Sequence, residues 1–117
     1  MDIEKTVIFA FKGQAVCFSH VLLNAIDLHE KGLEGLIVIE GEAVKLIPEM
    51  SQSDHALYTL YQKAKSLELI SAVCKTCSMT MGVLEAAEAE GLTLKGDMSG
   101  HPSMGLYLEE GYQVITL

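Results

Sequence analysis

Cys74-Lys-Thr-Cys77 sets two thiols three residues apart, where the apolar run Leu69-Ile70-Ser71-Ala72-Val73 gives way to the helix-like stretch Ser78 to Glu90. Thiolates are nucleophiles and metal ligands. Free N–H groups and the positive end of the dipole at a helix start stabilise them. A cysteine placed there is expected to titrate below the ordinary thiol value, and Lys75 adds a nearby cation. Cys74, at the strand end, is the candidate nucleophile. Cys77, one turn on, is close enough to attack a sulfur adduct formed on Cys74. The competing reading makes both small buried hydrophobes, since unpaired cysteine is among the most buried residue types.

Other residues with chemistry to offer gather on predicted loops. Cys17 and His20 stand three apart at the start of a predicted helix. With Cys74 and Cys77 they would complete a Cys₃His zinc site of the usual thiolate and imidazole composition. The plainer reading has them flank the Phe18/Leu22 stripe as boundary residues. His101, on the Gly-rich loop before Pro102, is the best-placed group for proton transfer or a hydrogen bond to a thiolate. His29 and His55 read as helix-surface residues. Met79, Met81, Met98 and Met104 fall near the same segments, where they would line a soft apolar pocket or fill core.

The elements that must position these residues follow from hydrophobic periodicity. Lys5 to Phe11 is rich in β-branched and aromatic residues without alternation, the pattern of a central strand covered on both faces. Phe18, Val21, Leu22, Ala25 and Leu28 recur at helical spacing up to Gly32. Leu36 to Ile39 is a second buried strand, ended by Gly41. Glu42 to Met50 reads as an irregular turn or a short helix. Ser53 is the expected N-cap of a helix whose stripe is Leu57, Leu60, Tyr61, Ala64 and Leu67. Leu69 to Val73 is the third strand, followed by one helix through Val83, Leu84 and Ala87 to Gly91. Leu92 to Leu94 and Gln113 to Leu117 complete five strands, with Ser103 capping a short helix between them. Alternating strands and helices predict a three-layer α/β/α sandwich around a mostly parallel five-stranded sheet. Its loops at the carboxyl ends of the strands, Lys12 to Val16, Gly41 to Ser53, Cys74 to Thr80 and Gly96 to Ser103, would build the site.

Length and composition narrow the function. A chain of 117 residues, 50% hydrophobic, is the size of one domain spanning 1–117. Sixteen acidic against eight basic residues give a formal charge of −8, which disfavours direct binding to nucleic acid. No apolar stretch approaches the roughly 20 residues that span a bilayer. Met1-Asp2-Ile3-Glu4-Lys5 lacks the basic and apolar regions of a secretory signal, so a soluble, cytoplasmic protein is expected. Three cysteines are too few for a disulfide scaffold. Neither G-x-G-x-x-G nor a P-loop pattern is present.

The segment Cys74-Lys-Thr-Cys77-Ser-Met-Thr-Met-Gly82, behind two apolar strands, resembles the DsrE/DsrF-like family of sulfur-relay proteins, which includes the TusD-type carriers. The resemblance covers nearly the whole length. In that family a cysteine after the third strand holds sulfur as a persulfide, and an Arg-Gly pair ends the following helix. Counting back from Gly82 matches that cysteine to Cys74, and Cys74, Thr76 and Cys77 reproduce the Cys-x-Thr-Cys form of one branch. Met81 stands where arginine is common, which removes one means of holding a thiolate or an anionic partner.

The resemblance implies a DsrEFH-like domain that acts as a sulfurtransferase by thiol–persulfide exchange. Cys74 would accept sulfur, Cys77 would resolve or shield the adduct, and no cofactor would be needed. It also implies a homo-oligomer, trimeric or hexameric, that passes sulfur from donor to acceptor proteins toward tRNA thiolation or sulfur oxidation. Bulky Tyr58, Met79, Met104 and Tyr107 are the expected surface for assembly. The rival readings are a thioredoxin-like dithiol oxidoreductase, in which Lys75-Thr76 would replace the common Gly-Pro, and a non-catalytic interaction subunit, which Met81 favours.

Overall fold

β1, Lys5–Ala10, is buried from Thr6 onward and lies inside the sheet, as a run without alternation requires. The computed structural model describes residues 3–117, so Met1 and Asp2, the start of the segment read as lacking a secretory signal, lie outside the described residues. After α1 (Ala15–Glu30) come β2 (Glu34–Ile39), a 3₁₀ turn (Gly41–Lys45), α2 (Leu46–Met50) and α3 (Tyr58–Ser66). β3 (Ile70–Cys74), α4 (Lys75–Thr80), α5 (Leu84–Ala89), β4 (Leu94–Lys95), α6 (Met104–Glu109) and β5 (Gln113–Thr116) follow.

Among the described residues the sheet has five strands in the order β4-β3-β2-β1-β5, every pairing parallel. The α/β class and the strand number are as expected, and "mostly parallel" becomes wholly parallel. Ile8 pairs with Ile37, and Thr6 with Gln113 across nearly the whole chain.

The two faces of the sheet are covered unequally. On one, Ile8, Ala10, Ile37, Ile39 and Val73 pack with Phe18 and Leu22 of α1, Tyr61 of α3 and Ala87 of α5. On the other, Val7, Phe9, Val38 and Ala72 meet Tyr107 and Tyr112, whose rings form an edge-to-face stack with Phe9 at 5.7 Å spacings. The reason is topological. The crossovers from β1 to β4 march in one direction and lay their helices on one face, whereas the last connection runs back to the opposite edge and puts α6 on the other. Residues 96–103 therefore travel across the carboxyl ends of the strands.

Two expected helix boundaries move. Ser53 does not cap α3, whose N-cap is Leu57, because His55 Nδ1 accepts the Leu57 N–H at 3.0 Å and holds residues 51–57 in turns. The single helix expected from Ser78 to Glu90 is two. Gly82 takes φ +72°, and the Val83 N–H closes back on the Ser78 carbonyl at 2.8 Å while the Gly82 N–H bonds the Met79 carbonyl at 3.2 Å. That is a Schellman stop, with buried Val83 as its apolar anchor. Ser103 caps α6 as expected, accepting the Leu106 N–H at 3.3 Å.

Candidate functional site

Cys74 ends β3 and serves as the N-cap of α4, its Sγ accepting the Cys77 N–H at 3.4 Å. Its side chain is fully buried, and the Ser78 hydroxyl fixes its backbone by donating to the Cys74 carbonyl at 2.7 Å. Cys77, in the first turn of α4, is half-buried and accepts the Gly41 N–H at 3.3 Å. Gly41 follows Glu40, which closes β2 and is only 7% exposed. The fourth group comes from the crossing loop. His101 Nδ1 lies 3.1 Å from Cys74 Sγ, 3.9 Å from Cys77 Sγ and 3.7 Å from Glu40 Oε1.

The crossing loop is held against α4 by backbone. The Thr76 N–H donates to the Gly100 carbonyl at 3.0 Å, and the Met98 N–H to the His101 carbonyl at 2.8 Å. Gly100 has φ +96°, and a Cβ there would stand 2.0 Å from Thr76 Oγ1. No other residue type allows the loop so close.

Burial dominates the electrostatics. Cys74 was expected to titrate low at the helix start, but removal from water pushes its thiol up to about 12, with Cys77 and Glu40 adding to the rise. The Cys77 N–H acts in the opposite direction and is outweighed. A six-residue helix offers little dipole, and the sulfur faces a carboxylate and a second thiol. Lys75 is exposed and is not among the causes. Burial likewise raises Glu40, against the lowering influence of His101 and the Cys74 thiol.

The three contacts of His101 all end on one ring nitrogen. A linear relay would set the thiol and the carboxylate at opposite nitrogens of the imidazole, as in a nucleophile–base–acid chain. Here sulfur, sulfur and carboxylate converge on the same side of the ring. Among the described residues, Glu40, Cys74, Cys77 and His101 offer donor atoms that all lie within 4.8 Å of one another.

Of the residues singled out in the sequence, Cys74, Cys77 and His101 come together. Cys17 and His20 do not join them. The Cys17 thiol donates to Gln14 Oε1 at 3.3 Å within its own turn, and the pair lines a separate surface hollow with Lys12 and Leu117. The group that converges is Glu40, Cys74, Cys77 and His101, without Cys17 or His20. Glu40 is the residue that sequence reasoning missed, and its signal was a lone charge closing the apolar Leu36 to Ile39 strand. Tyr107 is buried in the core rather than offered for assembly, while Met79 is 60% and Met98 52% exposed. Beside the cluster, Phe11, Met98, Pro102 and Met104 line an apolar hollow of about 360 Å³ with Glu40 and His101 in its wall.

Fold and cluster define a parallel α/β protein with a thiol site at the carboxyl edge of its sheet. No family model matches the chain. It is 37% identical over 98 residues to the uncharacterized protein MJ0733 of Methanocaldococcus jannaschii, an alignment that covers 84% of this chain and 78% of the relative, and it belongs to that protein's family. An uncharacterized protein of Archaeoglobus fulgidus is 51% identical over 35 residues, 30% of this chain and 95% of the relative. The structure of BT1422, a conserved protein of unknown function from Bacteroides thetaiotaomicron, matches with a TM-score of 0.63 at 17% identity over 95% of this chain and 94% of that one. This likeness is one of fold. Among the described residues, no helix is long and apolar enough to cross a membrane.

Proposed function

We propose that the protein carries sulfane sulfur on its Cys74/Cys77 pair and passes it between proteins by thiol–persulfide exchange. The observation that carries this reading is the pairing of a fully buried sulfur with a half-buried one within 4.8 Å, beneath a histidine. Burial reassigns the roles expected from the resemblance. Cys77 is the thiol open to solvent, with its sulfur at the site's mouth accepting the Gly41 N–H, so Cys77 receives the sulfur. Its thiolate attacks the outer sulfur of a donor persulfide R–S–SH. The new Cys77–S–SH bond forms as the donor S–S bond breaks, and the electron pair leaves with the donor as R–S⁻. An acceptor thiolate repeats the step in reverse. If Cys74 attacks the inner sulfur of the adduct instead, H₂S leaves and a Cys74–Cys77 disulfide remains. The hydrogen bond of Cys74 to His101 and its burial restrain that discharge.

The resemblance to the DsrE/DsrF-like carriers supports the same chemistry. Exposed Phe11, Met79, Met81 and Met98 support protein partners, both donor and acceptor, and self-association as a trimer or hexamer is proposed with them. Intact-mass spectrometry of the reduced, chelator-treated protein after incubation with a polysulfide donor tests the carrier. One added sulfur that Cys77→Ser abolishes and Cys17→Ser retains is the expected result. Loss of two hydrogens with no sulfur adduct would make the pair a dithiol oxidoreductase, and no change in mass would make the domain a non-catalytic subunit.

A further inference from the structure

Glu40 presents a problem that sulfur transfer does not solve. A carboxylate 7% exposed, beside two thiols, requires a cation or a proton, and among the described residues its ion-pairing partner is His101 at 3.7 Å. The four groups are also arranged around a point rather than along a line. Tetrahedral zinc, with bonds of about 2.3 Å to sulfur and about 2.0–2.1 Å to nitrogen and oxygen, separates its donor atoms by roughly 3.3–3.8 Å. The distances from His101 Nδ1, 3.1 and 3.9 Å to the sulfurs and 3.7 Å to the carboxylate, bracket that range. Each sulfur already accepts a backbone N–H, from Cys77 and from Gly41, the outer contacts that orient and neutralise metal-bound thiolates.

We propose that Glu40, Cys74, Cys77 and His101 form a site for one zinc ion, bound through a carboxylate oxygen, two thiolate sulfurs and Nδ1. Two thiolates and an imidazole select a borderline-soft ion over magnesium or calcium, which prefer oxygen ligands. The two thiol protons pass to solvent as the ion enters. Three donors stand at the ends of β2 and β3 and on α4, and the fourth is held over them by the crossing loop. The site differs from the sulfur-carrying state, because a metal-bound Cys77 cannot attack a persulfide. Zinc and sulfane sulfur are alternative occupants of one pair of thiols.

The test is a titration of the full-length, anaerobically reduced protein with Co²⁺, read by its visible ligand-field bands and its thiolate-to-cobalt charge-transfer band. One Co²⁺ per chain in tetrahedral geometry, displaced by one equivalent of Zn²⁺, is expected. His101→Ala, on the crossing loop outside the sheet, and the isosteric Glu40→Gln should each weaken binding by more than about 100-fold, the upper end of what losing even an outer-sphere partner costs. Cys77→Ser should roughly halve the charge-transfer intensity. Cys17→Ser with His20→Gln should change nothing. Absence of stoichiometric binding, undiminished affinity in both His101→Ala and Glu40→Gln, or dependence on Cys17 would overturn the site. The titration contains no sulfur donor, and loading is measured on metal-free protein. A chain that loads sulfur but binds no Co²⁺ therefore refutes the zinc site alone, and the converse refutes the carrier alone.

Discussion

Cys17 with His20 and Cys74 with Cys77 share the same three-residue spacing at the start of a helix, yet they end in opposite circumstances. The first pair begins the long α1, where Cys17 finds its partner in Gln14 of its own turn and His20 is exposed. The second pair begins the short α4, where groups from the 3₁₀ turn after β2, from α4 and from the crossing loop all reach the sulfurs. Spacing along a helix supplies a pair of ligands and nothing more. What turns a pair into a site is the chain that passes over it. Here the topology sends residues 96–103 across β3 and β2, and among the described residues no connection of that kind passes over the start of α1.

The contrast can be broken most directly by differential alkylation of the chelator-treated, folded protein, with each cysteine read by peptide mass. Cys77 and half-buried Cys17 should react at least about 100-fold faster than Cys74, since labelling a fully buried thiol needs a local opening of about 3 kcal/mol or more. Equal rates at Cys74 and Cys77 would remove the distinction on which the carrier assignment rests.

Next in size is the clamp. Gly100→Ala would drive a Cβ into Thr76 and force a side chain into φ +96°, so a loss of about 1–3 kcal/mol in chemical denaturation is expected, together with faster labelling of Cys74. Gly105→Ala on α6, whose nearest contact would be an ordinary 3.4 Å, serves as the comparison and should leave Cys74 labelling unchanged. Retained protection of Cys74 in Gly100→Ala would show that the loop does not cover the thiols.

Ser78→Ala removes the buried hydroxyl that donates to the Cys74 carbonyl, and a cost of about 1 kcal/mol is expected. The smallest effect belongs to the other pair. Cys17→Ser with His20→Gln should change stability by no more than about 0.5 kcal/mol, as for surface substitutions generally. A larger loss would mean that the Cys17 region is structurally committed in a way its exposure does not suggest.

How much of this was legible differs between fold and site for one physical reason. Strands such as Lys5–Ala10 and Glu34–Ile39 declare themselves through local composition, because burial on both faces demands a continuous apolar run. Helix ends were less visible. The acceptor for the Leu57 N–H is the ring of His55, not Ser53, and the stop at Gly82 sits inside an otherwise periodic helical stretch. In the site, Cys74, Cys77 and His101 were readable as chemically able residues on loops at the correct edge. Glu40 was not, since a charge after an apolar strand reads as a boundary until the crossing loop sets a histidine beside it. The reversal of the Cys74 titration has the same origin. Helix position is written in the sequence, whereas desolvation depends on what covers the residue.

The crossing loop also fixes a sequence of events during synthesis. Glu40, Cys74 and Cys77 leave the ribosome before His101, and the strand that completes the sheet, pairing Gln113 with Thr6, comes last. A parallel contact of such long range forms slowly, and chains fold from the amino terminus as they emerge. For that interval the nascent chain exposes two thiols and a carboxylate with no imidazole above them. The newborn protein is therefore more open at Cys74 than the folded one, in which that sulfur is fully covered while Cys77 keeps its access to solvent.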